Sequence, residues 1–466
     1  MTIVSLSDPF PLPRSAMPEL DWPAFPNGRD AIVLALQHQL DESQWLAPAI
    51  HLQRQFRQLE LLLAHAVKTV PWYQDRLAGL AQRNTGWLDL HTWQALPLLR
   101  RADIQEAGPA LVCQEVPKSH GDPFDISSSG STGRPIAVKG TGVTAVRFLA
   151  NQLRYHRWHG RDFSANMAAL VYLREVQRQA AEKNQGLPWN FTHNAGLMMF
   201  YDINAPVDQQ FAWLLEQDPT YLVTYPSNLR ELLRLSHKSG AKIPKLQQVL
   251  TLSEVVDERL RTTCRDIWGV NVIDSYSSQE TGWIAMQCSE KPEYHLQSES
   301  LLVEILDANG APCRPGEIGR VVLTDLHNFA TPLIRYEIGD YAEPGPPCAC
   351  GRGLPVIKRI LGRTRNLVTL PSGERHWPTL PLKFRADAKI RQFQLVQKSI
   401  TGMELKLVVD RLLSRTEEEQ ISRQIEGNLG YPFEVQFTYC EAIPRSAAGK
   451  YEDFRSELLE QEMTDR

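Results

Sequence analysis

The sequence predicts an α/β protein: a large N-terminal domain of layered, mainly parallel sheets with a β-rich subdomain, followed by a small α+β C-terminal domain. Three observations predict it. From about residue 125 to 335, short apolar runs alternate with helical patterns, the signature of parallel strands joined by crossover helices. Residues 301–325 change to two strand-like runs around a Gly/Pro-rich connection. From about residue 364 the pattern restarts as strand, charged helix, strand, and 466 residues exceed what one core usually holds.

Residues 1–120 read mostly as helices. Ile50 to Val67 is amphipathic, with Leu52, Phe56, Leu59, Leu62, Leu63 and Ala66 on one side. Leu96 to Ile104 reads as a loop entering a short helix. Strands are predicted at Ala168–Tyr172, Tyr221–Tyr225, Gln248–Leu252 and Val270–Asp274, with helices at Pro226–Lys238 and Asp257–Trp268. Leu301–Leu306 and Gly319–Thr324 are the strands of the β-rich part. In the tail a strand is predicted at Glu404–Val409, a helix at Thr416–Leu429 and a strand at Pro432–Phe437. The domain boundary falls between residues 1–363 and 364–466.

The composition is that of an ordinary globular chain: 42% hydrophobic, 22% charged, 28 Gly and 31 Pro. A net charge of −4 argues against nucleic acid or an anionic membrane surface as partner. Met1 to Arg14 has no basic segment leading into an apolar run, and no stretch of about 18 apolar residues occurs, so neither a signal peptide nor a membrane span is expected. Seven cysteines without a secretory signal suggest reduced thiols in a cytoplasmic protein, a metal site being the main exception.

Four motifs carry chemistry. The first is Ser127, Ser128, Ser129, Gly130, Ser131, Thr132, Gly133, between two short strand-like runs. Its glycines let the backbone turn N–H groups onto one spot, and its hydroxyls add donors, which suits the phosphate oxygens of a nucleoside triphosphate. No Gly-Lys-[Ser/Thr] follows, so it is not a Walker loop, and alone it also reads as a flexible loop. The second is Asp274, Ser275, Tyr276, Ser277, Ser278, Gln279, Glu280, at the end of an apolar run. An aromatic ring there can stack on a base, and Glu280 can reach a phosphate-bound Mg²⁺; the bland alternative is a polar loop. The third is Gly339-Asp340, followed by Gly362-Arg363; the aspartate can accept from ribose hydroxyls, or simply form a turn. The fourth is Pro444-Arg445-Ser446-Ala447-Ala448-Gly449-Lys450, which can deliver a positive charge to a developing phosphate or acyl charge.

In order and spacing these motifs resemble the adenylate-forming superfamily over roughly residues 95–460. Leu96 to Val112, Thr224-Tyr225-Pro226-Ser227 and Cys348-Ala349-Cys350-Gly351-Arg352-Gly353-Leu354-Pro355 look like its phenylacetate–CoA ligase branch and the capsule-biosynthesis-associated relatives. The resemblance implies that the first loop holds the β- and γ-phosphates of ATP. It implies that Ser253, Glu254 and Val255 lie beside the adenine with Tyr276 stacked on it, and that Glu280 ligates Mg²⁺. Asp340 would bind the ribose, Arg363 the ribose or a phosphate, and Lys450 would serve adenylation only. The activity implied is activation of a carboxylic acid to an acyl-adenylate and transfer to coenzyme A, with a mobile C-terminal domain pivoting about Thr364–Asn366. A carrier-protein thiol or an amine as acceptor, and a non-catalytic nucleotide-binding scaffold, stay open. A homodimer is also implied. The chain departs from the superfamily at Ser277, Gln279 and Arg365, and lacks the usual acidic residues around His376-Trp377-Pro378.

Two further sites are expected. Cys288, His295, Cys348 and Cys350 make a Cys₃His set for a structural Zn²⁺, although their spacing is no standard finger and reduced thiols are the alternative. An aromatic acid is expected near Phe191, His193, Gly196, Tyr225, Ser253 and Ser278, in a stretch that also reads as core packing.

Overall fold

The computed structural model describes residues 13–20, 23–77, 79, 86–127, 135–192, 194–363, 366–376, 378, 390–445 and 451–458. The chain divides into two compact units, Met1–Ile338 with Ala342–Ile360, and Gly339–Tyr341 with Leu361–Arg466.

In the first unit, β1 (Phe124–Ser127) and β2 (Ala137–Gly140) form an antiparallel hairpin, in register Ser127 to Ala137. Helix Gly142–Trp158 follows β2 directly. A six-stranded sheet then takes β3 (Met167–Val171), β4 (Leu187–Pro188), β5 (Leu197–Asp202), β6 (Tyr221–Thr224), β7 (Gln248–Thr251) and β8 (Asn271–Ile273), in the order β4-β5-β3-β6-β7-β8. Every pairing but β4–β5 is parallel. The strands are apolar on both faces and covered by helices including Val207–Gln217, Pro226–Ser239 and Glu258–Trp268, as a buried parallel sheet requires.

The second sheet is larger than the two strands read from the sequence. It joins β9 (Ser275–Ser278), β10 (Gly282–Gln287), β11 (Tyr294–Leu296), β12 (Leu301–Leu306), β13 (Gly319–Asp325), β14 (Tyr336–Pro344) and β15 (Val356–Arg363), in the order β12-β13-β14-β15-β11-β10-β9. Its pairings β9–β10, β10–β11, β11–β15 and β12–β13 are antiparallel. So within the first unit the predominantly parallel character belongs to the six-stranded sheet, and the tyrosine-bearing motif is itself a strand rather than a loop.

Helix Pro48–Thr69 buries Leu59, Leu62, Leu63 and Ala66 completely. Leu52, on that face by its spacing, is 39% exposed, whereas His51 and Gln55 are the buried residues of the first turns. Among the described residues no helix is long and apolar enough to cross a membrane.

The second unit pairs β16 (Val368–Thr369) with β17 (Arg375–His376), and builds a four-stranded sheet of β18 (Ile390–Gln397), β19 (Gly402–Val409), β20 (Glu434–Tyr439) and β21 (Phe454–Ser456), in the order β20-β19-β18-β21. Helix Arg415–Leu429 buries Ile421, Ile425 and Leu429 against Phe393, Leu405 and Leu407. Ser414 caps it in a reciprocal box with Glu417, and Gly430 ends it at φ +73°.

Two half-buried histidines make the first unit acid-sensitive. Burial and the neighbouring Arg161 lower His159 to about 3 from an ordinary 6.5, and burial and Arg147 lower His327 to about 4. Both are neutral when folded but protonate near 6.5 once unfolded. Their contribution is complete above about pH 6.5 and is lost as pH falls toward 4, roughly 2 kcal/mol each at pH 5. Thermal melts should therefore show lower stability at pH 5 than at pH 7; equal melting would contradict this assignment.

Candidate active site and metal centre

The carboxyl ends of parallel strands are where an α/β sheet presents its loops to a ligand. At the end of β6, Tyr225 is buried and Pro226 opens the next helix, whose first turn carries Ser227. At the end of β7, Ser253 adopts φ +67°, a left-handed conformation that a serine rarely takes and that marks a constrained position. The next residue, Glu254, accepts hydrogen bonds from the Ser227 amide at 2.8 Å and the Ser227 hydroxyl at 3.0 Å. Val255 is 51% exposed beside them. Ser227 is a tie that sequence reading left unassigned; its signal was the strand-end tyrosine followed by a helix-starting proline.

At the end of β8, Asp274 turns inward. Its carboxylate accepts from Thr251 Oγ1 at 2.9 Å and Tyr294 Oη at 2.6 Å, and burial raises its pKa. The motif continues into β9, where Ser275 pairs with Met286 and Tyr276 is buried. The hairpin β9–β10 closes through Ser278, whose hydroxyl meets the Thr281 amide at 3.1 Å and the Thr281 hydroxyl at 3.0 Å. Gly282 at φ +75° completes the turn. Ser277 is exposed, and Gln279 accepts from Arg174 Nη2 at 2.8 Å. Glu280 sits on this turn, 8% exposed, and among the described residues its carboxylate has no hydrogen-bond or ion-pair partner. An unpartnered buried carboxylate is a donor fitted to a hard cation that keeps its other positions for phosphate oxygens and water.

In the second unit Asp340 lies 3.4 Å from Arg363 Nε. Gly339 at φ +88° and Gly362 at φ +102° allow the flanking turns. The Arg363 amide donates to Asn366 Oδ1 at 3.1 Å, and Asn366 Nδ2 donates to the Phe454 carbonyl at 2.7 Å.

Ser128, Ser129, Gly130, Ser131, Thr132, Gly133, His193 and Lys450 lie outside the described residues. Two of the residues expected around the acid lie apart from the others. Met198, Met167 and Tyr221 are in register, Gly196 is two residues before Met198, and Tyr225 is four residues after Tyr221. Six steps of about 3.3 Å put Gly196 some 20 Å along the sheet from Tyr225. Gly196 is packing: its amide donates to the Phe163 carbonyl at 2.8 Å, and a Cβ there would stand 1.9 Å from the Ala165 carbonyl oxygen. Phe191 packs on the cluster of Val33, Leu40, Ala150 and Leu153. Tyr225, Ser253 and Ser278 remain at strand ends.

The four metal-type residues do come together. The ligating atoms of Cys288, His295, Cys348 and Cys350 all lie within 4.8 Å of one another. Cys348 Sγ is 3.8 Å from Cys288 Sγ, and Cys350 Sγ is 3.3 Å from His295 Nε2. A tetrahedral zinc with Zn–S of about 2.3 Å gives S···S edges of about 3.8 Å. His295 Nδ1 faces the Leu354 carbonyl at 3.4 Å, which fixes Nε2 as the ligand nitrogen. Burial lowers His295 to about 4, so the imidazole is neutral at pH 7, the form that binds metal. Cys288 and His295 flank the turn between β10 and β11, and Cys348 and Cys350 follow β14, so the spacing across two loops hides the set from any finger pattern.

Comparison with known proteins agrees with this layout. Residues 382–456 match the CapK C-terminal domain family. The chain is 24% identical over 440 residues to phenylacetate-coenzyme A ligase of Thermus thermophilus, covering 85% of this chain and 94% of that protein. It is 22% identical over 430 residues to phenylacetate-coenzyme A ligase of Pseudomonas putida, covering 84% and 91%. Among solved structures, 2-hydroxyisobutyryl-CoA ligase in the postadenylation state superposes with a TM-score of 0.70 at 17% identity, over 91% of this chain and 94% of that one. The chain is thus similar along most of its length to phenylacetate-coenzyme A ligases, its residues 382–456 match the CapK C-terminal domain, and it shares the fold of 2-hydroxyisobutyryl-CoA ligase.

Proposed function

We propose that this protein activates a carboxylic acid with ATP, giving an acyl-adenylate and pyrophosphate, and then transfers the acyl group to the thiol of coenzyme A with release of AMP. The observation that supports the reading is the unpartnered, buried Glu280 on the turn that closes β9, with Ser253 and Glu254 following β7. The relatives named as phenylacetate-coenzyme A ligases support an aromatic acid and coenzyme A as substrates.

The chemistry needs positioning and charge neutralisation rather than a protein nucleophile. The acid's carboxylate oxygen attacks the α-phosphorus and pyrophosphate leaves; the thiolate sulfur then attacks the acyl carbon and AMP leaves. Tyr276 and the Ser253–Val255 segment hold the adenine, Asp340 orients the ribose, and the Ser128–Gly133 segment holds the terminal phosphates. Glu280 holds Mg²⁺, which when bound neutralises charge on the phosphate oxygens. Lys450 places its ammonium at the developing charge of the first step, and the second unit pivots at Thr364–Asn366 before the second. Tyr225 and Ser278 border the acid. Cys288, His295, Cys348 and Cys350 hold a structural Zn²⁺ that fixes the loop after β14 to the β10–β11 turn.

The test is product analysis with ATP, Mg²⁺, coenzyme A and a panel of aryl, fatty and hydroxy acids. Acid-dependent AMP and an acyl-CoA thioester are expected. Adenylate formation without any thioester would move the acceptor to a carrier-protein thiol or an amine.

A further inference from the structure

Arg147 lies on helix Gly142–Trp158, outside every motif discussed so far. Its guanidinium forks onto Asp325 at the end of β13: Nη1 donates to Oδ1, and Nη2 to Oδ2 at 2.7 Å. The pair is buried, with side chains 11% and 1% exposed. The same guanidinium also donates to the Ser300 carbonyl at 3.2 Å and, through Nη2, to the Thr281 carbonyl at 3.3 Å. Thr281 directly follows Glu280, and its amide and hydroxyl both meet Ser278.

From Asp325 the bonds run on. Asp325 Oδ1 accepts from the amides of His327 at 3.0 Å and Asn328 at 3.2 Å. Asn328 Oδ1 accepts from the Ala330 and Thr331 amides at 3.1 and 3.2 Å. Thr331 Oγ1 then accepts from the Lys139 amide, in β2, at 2.9 Å. A continuous, partly buried run of hydrogen bonds therefore joins β2, the strand that follows the Ser128–Gly133 segment in sequence, to the turn that carries Glu280. Arg147 is its junction, since only a planar fork reaches Asp325 on one side and a carbonyl on the other.

We infer that Arg147 is a positioning residue for Mg–ATP: through Asp325 and Thr281 it holds the Glu280 turn in a fixed relation to β2, so that the cation-holding carboxylate keeps its place when the nucleotide binds. The inference rests on the function proposed above. It assigns Arg147 no contact with substrate. A purely structural ion pair would lower stability without changing nucleotide affinity in folded protein.

The experiment is titration calorimetry of the full-length chain with Mg–ATP and with ATP plus a chelator. Arg147→Lys keeps the charge and loses the fork; it should weaken Mg–ATP binding about tenfold, as loss of a ligand-orienting partner does, with a smaller change for metal-free ATP. Thr331→Val breaks the run at its other end and should weaken Mg–ATP binding in the same direction. Because both act on one chain of contacts, the double variant should bind within about twofold of Arg147→Lys alone. Wild-type affinity for Mg–ATP in folded Arg147→Lys overturns the inference, and so do losses that simply multiply in the double variant. If Arg147→Lys does not fold, unchanged affinity in Thr331→Val overturns it instead. Wild-type protein that binds Mg–ATP but activates no acid would defeat the proposed function while leaving this comparison intact, and wild-type protein that binds no Mg–ATP would defeat both.

Discussion

Lys450→Ala should abolish acid-dependent ATP–pyrophosphate exchange, by about 10³-fold or more, while thioester formation from supplied acyl-adenylate continues. The ammonium is assigned to charge that develops at the α-phosphate only in the first step, and removing one such electrostatic group costs about 10²–10³-fold or more in a site closed to water. The second step starts from an adenylate in which that charge has already been resolved, so it loses nothing. Measuring both half-reactions on one preparation separates the outcomes. Loss of both would show that Lys450 supports the fold or nucleotide binding generally; retention of exchange would remove it from the chemistry altogether.

Cys348→Ser should lose zinc and thermal stability together. The four donors already stand at the separations of a closed tetrahedral site, and Cys348 and Cys350 follow β14 whereas Cys288 and His295 flank the β10–β11 turn. One metal held there would tie two loops of the seven-stranded sheet. Burial pushes the Cys348 thiol up, and a bound cation would favour the thiolate that ligates it. Elemental analysis should give about one zinc per wild-type chain and far less in the variant, with melting lowered by about 5 °C or more. Zinc-free wild-type protein that melts like the zinc-loaded form would end the assignment.

Much of the fold was legible because its signals are local. The alternation of apolar runs and helices gave the parallel sheet to within a residue or two at β3, β6, β7 and β8, and Leu301–Leu306 matches β12 at both ends. The Ser414–Glu417 box and Gly430 mark a helix by capping alone. The antiparallel sheet was only partly visible. β9 is short and polar, Ser-Tyr-Ser-Ser, and it becomes a strand because β10 pairs with it, which no propensity of its own foretells. The acid pocket was not legible around Phe191 and Gly196, because an aromatic, Met-rich stretch satisfies a core and a pocket equally well. What separates the two readings is the register of three parallel strands, a long-range fact. Arg147 was invisible for the same reason: its partners Thr281 and Asp325 lie 134 and 178 residues away. Chemistry carried by contiguous motifs could be read; chemistry carried by contacts across the fold could not.

The most direct test of the account is ATP–pyrophosphate exchange with a panel of carboxylic acids and no coenzyme A. The account predicts exchange that depends on an acid, strongest with an aromatic one, and that disappears in Lys450→Ala. Folded protein that binds Mg–ATP yet exchanges no pyrophosphate with any aryl, fatty, hydroxy or amino acid would contradict it.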